Sequence, residues 1–223
     1  SITQDFPYDI TSFSFSFLTG SPMLFTYAGL IVAAVLYEDE HKNGNLKNAV
    51  AFGISREKLF LGKCITAVLT ATVLMGLVLT VYIGSACFLL EHTGPTSLKI
   101  ILTEVPAVYG TAVGSMILGI AFLSYFQNEV MAAMLWVVII DAIPRVLLLV
   151  GMFLQEQWGI EFLWDFAQLL PANLFQFGAD VNMSHCEVLW KTSQGMTKCV
   201  IVGIVETVLA IVAGIVMLRK KEV

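Results

Sequence analysis

A run from Leu59 to Leu90 in which Lys63 is the sole charged residue constrains this chain more than anything else in it. Roughly 20 apolar residues in a helix, each rising ~1.5 Å, cross the ~30 Å of hydrocarbon in a bilayer. Four further stretches fit the same template: 17–37 (densest in Met23–Leu36), 105–126, 130–154 and 199–218. The period-2 alternation of a membrane barrel is not seen in them. Composition agrees, with 57% hydrophobic and 13% charged residues and a mean hydropathy of +0.83. A water-soluble domain carries ~25% charged residues, because its surface must be covered with something polar. The predicted fold is therefore all-α. It is a polytopic transmembrane helical bundle with five visible spans, forming one domain over 1–223.

Lysine and arginine placement predicts orientation. Lys42, Lys47, Arg56, Lys58 and Lys63 lie between the first two spans, and Arg219, Lys220 and Lys221 follow the last. The other side holds Lys99, Lys191 and Lys198 together with Glu156, Glu161, Asp165, Asp180 and Glu187. The 38–58 loop and the C-terminus are thus expected in the cytoplasm, with 1–16 outside. An exterior start at Ser1, lacking the basic and apolar regions of a signal peptide, predicts a preceding span and six in total.

The two long polar stretches differ in kind. Within 38–58, Leu46, Ala49, Val50, Gly53 and Ile54 recur at helical spacing, predicting a short amphipathic helix capped by Asn43 or Asn45 and stopped at Gly53. Residues 155–196 carry Trp158, Phe162, Trp164, Phe166, Phe175, Phe177 and Trp190, the aromatic types that favour the headgroup level. Pro171 divides this stretch, so two short interfacial or re-entrant helices are expected there.

Several chemistries are excluded or left open. Gly62-Lys63 fails as a phosphate loop, with Glu57 in place of the first glycine and Cys64 in place of Ser or Thr. No basic stripe suggests nucleic acid. Cys64, Cys87, Cys186 and Cys199 lack metal-ligand spacing, and His41, His92 and His185 sit in three different loops. Cys186 and Cys199 fall on one side, either as a disulfide or as free thiols. Asp141 and Arg145 flank Pro144 in the fourth span, where an unpaired charge costs roughly 2.5–3.5 kcal/mol. They read either as a gate element or as a mutually neutralised i, i+4 pair. Glu206 stands alone in the last span, as a coupling group or a hydrogen-bond partner of a neighbouring helix. Gly110-x-x-x-Gly114 is a close-packing signature expected to seat another helix of the same chain.

The segment from Glu38 to Lys63 resembles the signature region of ABC-2 type permeases, the membrane subunits of ATP-binding-cassette exporters. The resemblance is carried by Glu40-x-x-x-Gly44, Asn45-Leu46-Lys47-Asn48, Ile54-Ser55-Arg56 and Gly62-Lys63. The family often has Thr after the glycine and Pro before Ile-Ser-Arg, where this chain has Asn45 and Gly53. Leu170-Pro171-Ala172-Asn173-Leu174-Phe175 resembles the family's external Pro-containing segment. On size and short loops, the chain is similar to bacitracin- and lantibiotic-immunity permeases.

The resemblance implies a cell-membrane exporter subunit with a second permease copy or paralogue beside it. Two separate ATPase subunits would hold the ATP and Mg, and this chain no cofactor of its own. ATPase coupling would fall to Glu38, Glu40, Gly44, Leu46, Lys47, Val50, Ile54, Ser55 and Arg56. The gate and path would involve Asp141, Pro144, Arg145, Trp164, Pro171, Phe175 and Glu206. The competing expectation is an ion- or proton-coupled secondary carrier using Asp141, Arg145 and Glu206. An intramembrane enzyme would need a Ser/Lys dyad, an Asp pair or H-E-x-x-H, none of which is present.

Overall fold

The computed structural model describes residues 11–18, 21–43, 55–92, 98, 102, 105–126, 128–175 and 193–220. Every regular element among them is helical: α1 Thr11–Leu18, α2 Ser21–Asn43, α3 Arg56–Leu89, a 3-10 turn Val105–Val108 leading into α4 Tyr109–Tyr125, α5 Glu129–Val137, α6 Ile143–Trp158, α7 Phe162–Gln168, α8 Pro171–Phe175 and α9 Ser193–Lys220. A π-turn, Val138–Ala142, joins α5 and α6 into one continuous rod. The expected all-α polytopic bundle is what the chain forms.

Four of these helices are long and apolar enough to cross a membrane: Arg56–Leu89, Pro106–Tyr125, Glu129–Trp158 and Ser193–Lys220. The first sequence-predicted span falls on α2, whose apolar part, Ser21–Val35, is shorter. That helix does not stop at Tyr37. It runs to Asn43, since the polar continuation contains no helix breaker before Gly44. Glu38 and Glu40, expected in a loop, therefore stand on the polar end of α2. Residues 11–18, which straddle the expected external segment 1–16 and the expected start of the first span, form the short helix α1. Its Phe15 and Leu18 pack against Ala86 near the far end of α3.

The bundle is built around α4. Two-thirds of its span (67%) is buried, against 17–22% in the other three crossing helices, whose exposed faces are apolar. A helix bounded on all sides by others needs small residues to let them approach, since lipid supplies no hydrophobic drive between helices. α4 meets α9 along such a seam. A Cβ at Gly203 would lie 2.7 Å from the backbone nitrogen of Thr111 and 2.9 Å from Gly110, so glycine there is a steric requirement. On α9 the buried residues Gly195, Cys199, Gly203, Ala210 and Gly214 share this small-residue face. The predicted role of Gly110 and Gly114, seating a helix of the same chain, is met by α9. Cys199 is a free thiol buried in the core cluster; Cys186 lies outside the described residues.

Local chemistry sets the other junctions. Asn128 caps α5, its Oδ1 accepting from the backbone nitrogens of Val130 (3.0 Å) and Met131 (3.2 Å). Pro144 has no N–H to give, and just before it the backbone N–H of Ile143 bonds five residues back, to the Val138 carbonyl. Proline in a helix interior forces such a local adjustment. α6 ends at Gly159, whose positive φ of 68° suits glycine and lets its N–H reach the Gln155 carbonyl.

Candidate functional site

The sequence-predicted residues fall at two ends of the bundle and at one point along α9. At the first end α2 finishes, α3 starts and α9 finishes. Gly44, Leu46, Lys47, Val50 and Ile54, and with them the amphipathic helix, lie outside the described residues. Ser55 is the residue before α3, in extended conformation (ψ 143°), with its carbonyl accepting from Leu59 (3.2 Å). Arg56 is the first residue of α3. One turn of α3 then carries two contacts that the sequence did not single out. Glu57 pairs with Arg219 near the end of α9, Oε1 accepting from Nε at 2.7 Å and from Nη2 at 2.6 Å. Phe60, 1% exposed, fills the notch at Gly214, where a Cβ would collide with its ring. The exit of the loop is thereby joined to α9 by a polar clasp and an apolar plug. The basic last turn of α9 and the acidic residue in the first turn of α3 were the available signals, since each also suits its helix dipole.

At the opposite end, residues 155–175 form the two expected short helices, but only part of the aromatic set faces outward. Trp158, Phe162 and Phe166 are exposed, with the last two stacked at 6.5 Å. Trp164 and Phe175 are buried. Trp164 sits over Gly151 of α6, where a Cβ would come within 2.9 Å of its backbone. Pro171 opens α8 and is buried, and Phe175 belongs to the main core cluster together with Leu174. This segment is therefore sunk into the bundle, not laid flat on it. Phe177 and Trp190 lie outside the described residues.

Asn173, which the sequence marks only as part of the Leu170–Phe175 segment, ties this segment to the proline break. Its Nδ2 donates to the Pro144 carbonyl (2.8 Å) and to the Ala167 carbonyl (2.7 Å), while its Oδ1 is buried with no partner. Asp141 and Arg145 bridge the π-turn on the same rod, Oδ1 accepting from Nη2 at 2.6 Å and from Nε at 3.0 Å. The i, i+4 pair that the spacing permits is the geometry found.

Glu206, midway along α9, accepts from the Ser115 hydroxyl (2.9 Å). Its neighbour Thr207 donates to the Gly110 carbonyl (3.1 Å). Ser115 also acts through its backbone, the carbonyl accepting from Nε1 of the fully buried Trp136 (2.7 Å), whose ring meets Tyr27 edge-on at 5.3 Å. Ser115 of α4 thus holds both α9 and α5, and Trp136 extends the link to α2. Glu206 and the Asp141–Arg145 pair do not share a hydrogen bond; each has its own partner. Among the described residues no group of three His, Cys, Asp or Glu side chains is placed to hold a metal.

The chain was compared with known families, curated proteins and solved structures. Residues 1–143 match the family model described as ABC-2 family transporter protein. No curated protein and no solved structure matches the chain. The matched region takes in α1 to α5, the stretch outside the described residues between α2 and α3, and the π-turn up to Ile143. The chain belongs to the ABC-2 family of transporter proteins: it is a multi-pass, membrane-embedded permease subunit of an ABC transporter, and its family implies an ABC ATPase as partner.

Proposed function

We propose that this chain is the permease of an exporter, moving an amphipathic substrate (a peptide antibiotic, lipid or drug) outward on ATP hydrolysed by a separate subunit. Two ATPase copies would serve a pair of permeases, with the 38–58 region and the C-terminus in the cytoplasm. Self-protection against lantibiotic-type peptides is the role that its size and short loops favour.

The observation that carries the coupling scheme is the join at the start of α3. A docked ATPase gripping residues 44–54 would pull on α2 and α3, which flank them. Through Phe60 in the Gly214 notch and the Glu57–Arg219 pair, α3 passes that displacement to α9. α9 is seamed to α4, and Ser115 of α4 holds α5 through Trp136. The far end of the α5–α6 rod carries α7 and α8, on Gly151 and Asn173. The chain of contacts thus runs from the ATPase-facing end to the 155–175 segment, which would act as the outer gate. Glu38, Glu40 and Arg56 would make polar contacts at the ATPase rim.

The test replaces Lys47 and Val50 together by Glu and measures co-purification of the ATPase alongside transport. Both should fall sharply while the permease keeps its elution profile. Undiminished ATPase capture and transport would sink the coupling assignment. A carrier running on ions alone would need Asp141, Arg145 and Glu206 free to exchange ligands, whereas each is engaged within the protein.

A further inference from the structure

The Asp141–Arg145 pair neutralises itself without being hidden. The side chain of Asp141 stays 22% exposed and that of Arg145 44%. Both lie within three residues of the midpoint of the Glu129–Trp158 rod, ~4 Å at the helical rise. At that depth a charge is costly, and it normally faces another protein surface or a water-filled cavity. Along the rod the pair is bracketed by exposed apolar residues, Val137 and Val138 before it and Val146 and Leu149 after it. Such a surface argues against the wall of a wetted channel. Tyr27 of α2 stands beside the pair, close enough to feel both charges.

The geometry of the pair leaves it half used. Both guanidinium contacts, from Nε and from Nη2, fall on the same Asp141 oxygen, Oδ1. Of the five N–H donors of a guanidinium, three therefore stay without a partner among the described residues, and so does Oδ2 of Asp141. The remainder is one donor edge and one acceptor edge with no net charge. An acyl chain supplies neither complement, and headgroups lie about 15 Å away, half the hydrocarbon thickness. A second copy supplies both. Copies inserted the same way are related by a two-fold axis along the membrane normal, which sets equal residues at equal depth. The guanidinium is already drawn to the level of the Asp141 carboxylate, so the free donors of each copy can meet the free oxygen of the other.

We propose that this face seats a second copy of the chain, with Asp141 and Arg145 of the two copies alternating in a ring of four charges around the two-fold axis. The assignment rests on the pairing of permeases proposed above and names the face that makes it. Contact between identical faces suits the pair, because each acid then finds a base on the other copy and each base an acid. Charge-assisted hydrogen bonds of this kind are also the strong ones. A different permease would need the same acid and base at the same depth.

The test co-expresses two differently tagged copies of the full permease with its ATPase. It measures how much of one tag is recovered with the other in mild detergent. Asp141→Lys makes the face wholly basic, and Arg145→Glu makes it wholly acidic. Each variant should pair with itself about tenfold more weakly than wild type, since like charges then meet across the axis. Mixed, the two should recover pairing to within about twofold of wild type, a rescue in trans that contacts inside one chain cannot give. If the charged variants fail to insert, Asp141→Ala/Arg145→Ala decides the matter: without the ring it too should pair about tenfold more weakly. Self-pairing of these variants at the wild-type level would overturn the face and leave the pairing of permeases standing. So would a loss of pairing that the mixture does not restore, the result expected if a preceding span or a paralogue covers the pair. Wild-type copies that never recover one another would overturn both.

Discussion

The α4–α9 seam and the α6–α8 corner solve the same problem, holding helices together without water to drive them, by opposite means. Along the seam, backbones touch through Gly110, Gly114 and Gly203, and polar groups such as Thr207 only add to a contact already made by shape. At the corner, a rod interrupted by a π-turn and a proline receives two short helices, seated on Gly151 and tied by a single amide, Asn173. Shape complementarity has one minimum and little give. A side-chain amide reaching the carbonyls of two separate helices can be released and recaptured. The seam is therefore expected to move as one body, and the corner to move against it.

The largest effect should come from forcing the seam apart. Gly203→Val places methyl groups where the backbone of Thr111 and Gly110 already lies. Overpacking against backbone should cost about 3 kcal/mol or more, read as lost monodisperse protein and a lower melting temperature in detergent. Near-normal stability would mean that the seam is looser than its glycines indicate.

An intermediate effect belongs to the corner. Asn173→Ala removes the side-chain donor shared by the Pro144 and Ala167 carbonyls, a loss of about 1–2 kcal/mol. It should be local: amide hydrogen exchange should quicken in α7 and α8 while α4 and α9 stay protected. Uniform acceleration would erase the distinction between the two regions.

Smallest, and opposite in sign, is Thr111→Val. The Thr111 hydroxyl is buried in the seam with no hydrogen-bond partner. Replacing it with a near-isosteric methyl should stabilise the protein by about 1 kcal/mol, seen as a raised melting temperature with exchange in α7 and α8 unchanged.

The seam was partly legible in the sequence, and the corner in its elements but not in its contacts, for a physical reason. Apolar length reports the solvent, so the crossing helices of Leu59–Leu90 and the stretches after it were visible from composition along the chain. Gly110-x-x-x-Gly114 reports close approach, but the matching face on α9 is spaced by four- and seven-residue steps (Cys199, Gly203, Ala210, Gly214) over a longer stretch and makes no compact motif. Asp141 and Arg145 could be paired because the helical period brings i and i+4 together. Glu57 with Arg219, Trp136 with Ser115, and Asn173 with Pro144 are joined by tertiary geometry, and an isolated Asn or Trp carries no mark of its distant acceptor. The end of α2 lies beyond the charge boundary at Glu38, because charge marks only the limit of the lipid and not that of the helix. Helix propensity carries the chain on to Asn43.

Ser115 carries one further consequence, for how such a protein can drift. Its link to Glu206 runs through a hydroxyl that one codon change can delete, while its link to Trp136 runs through a carbonyl that every amino acid supplies. Descendants of this chain can therefore lose or re-tune the grip on α9 by ordinary substitution at position 115, yet retain the grip on α5 so long as the arriving residue is small enough for this buried position. The two attachments, adjacent in space, are heritable on different terms.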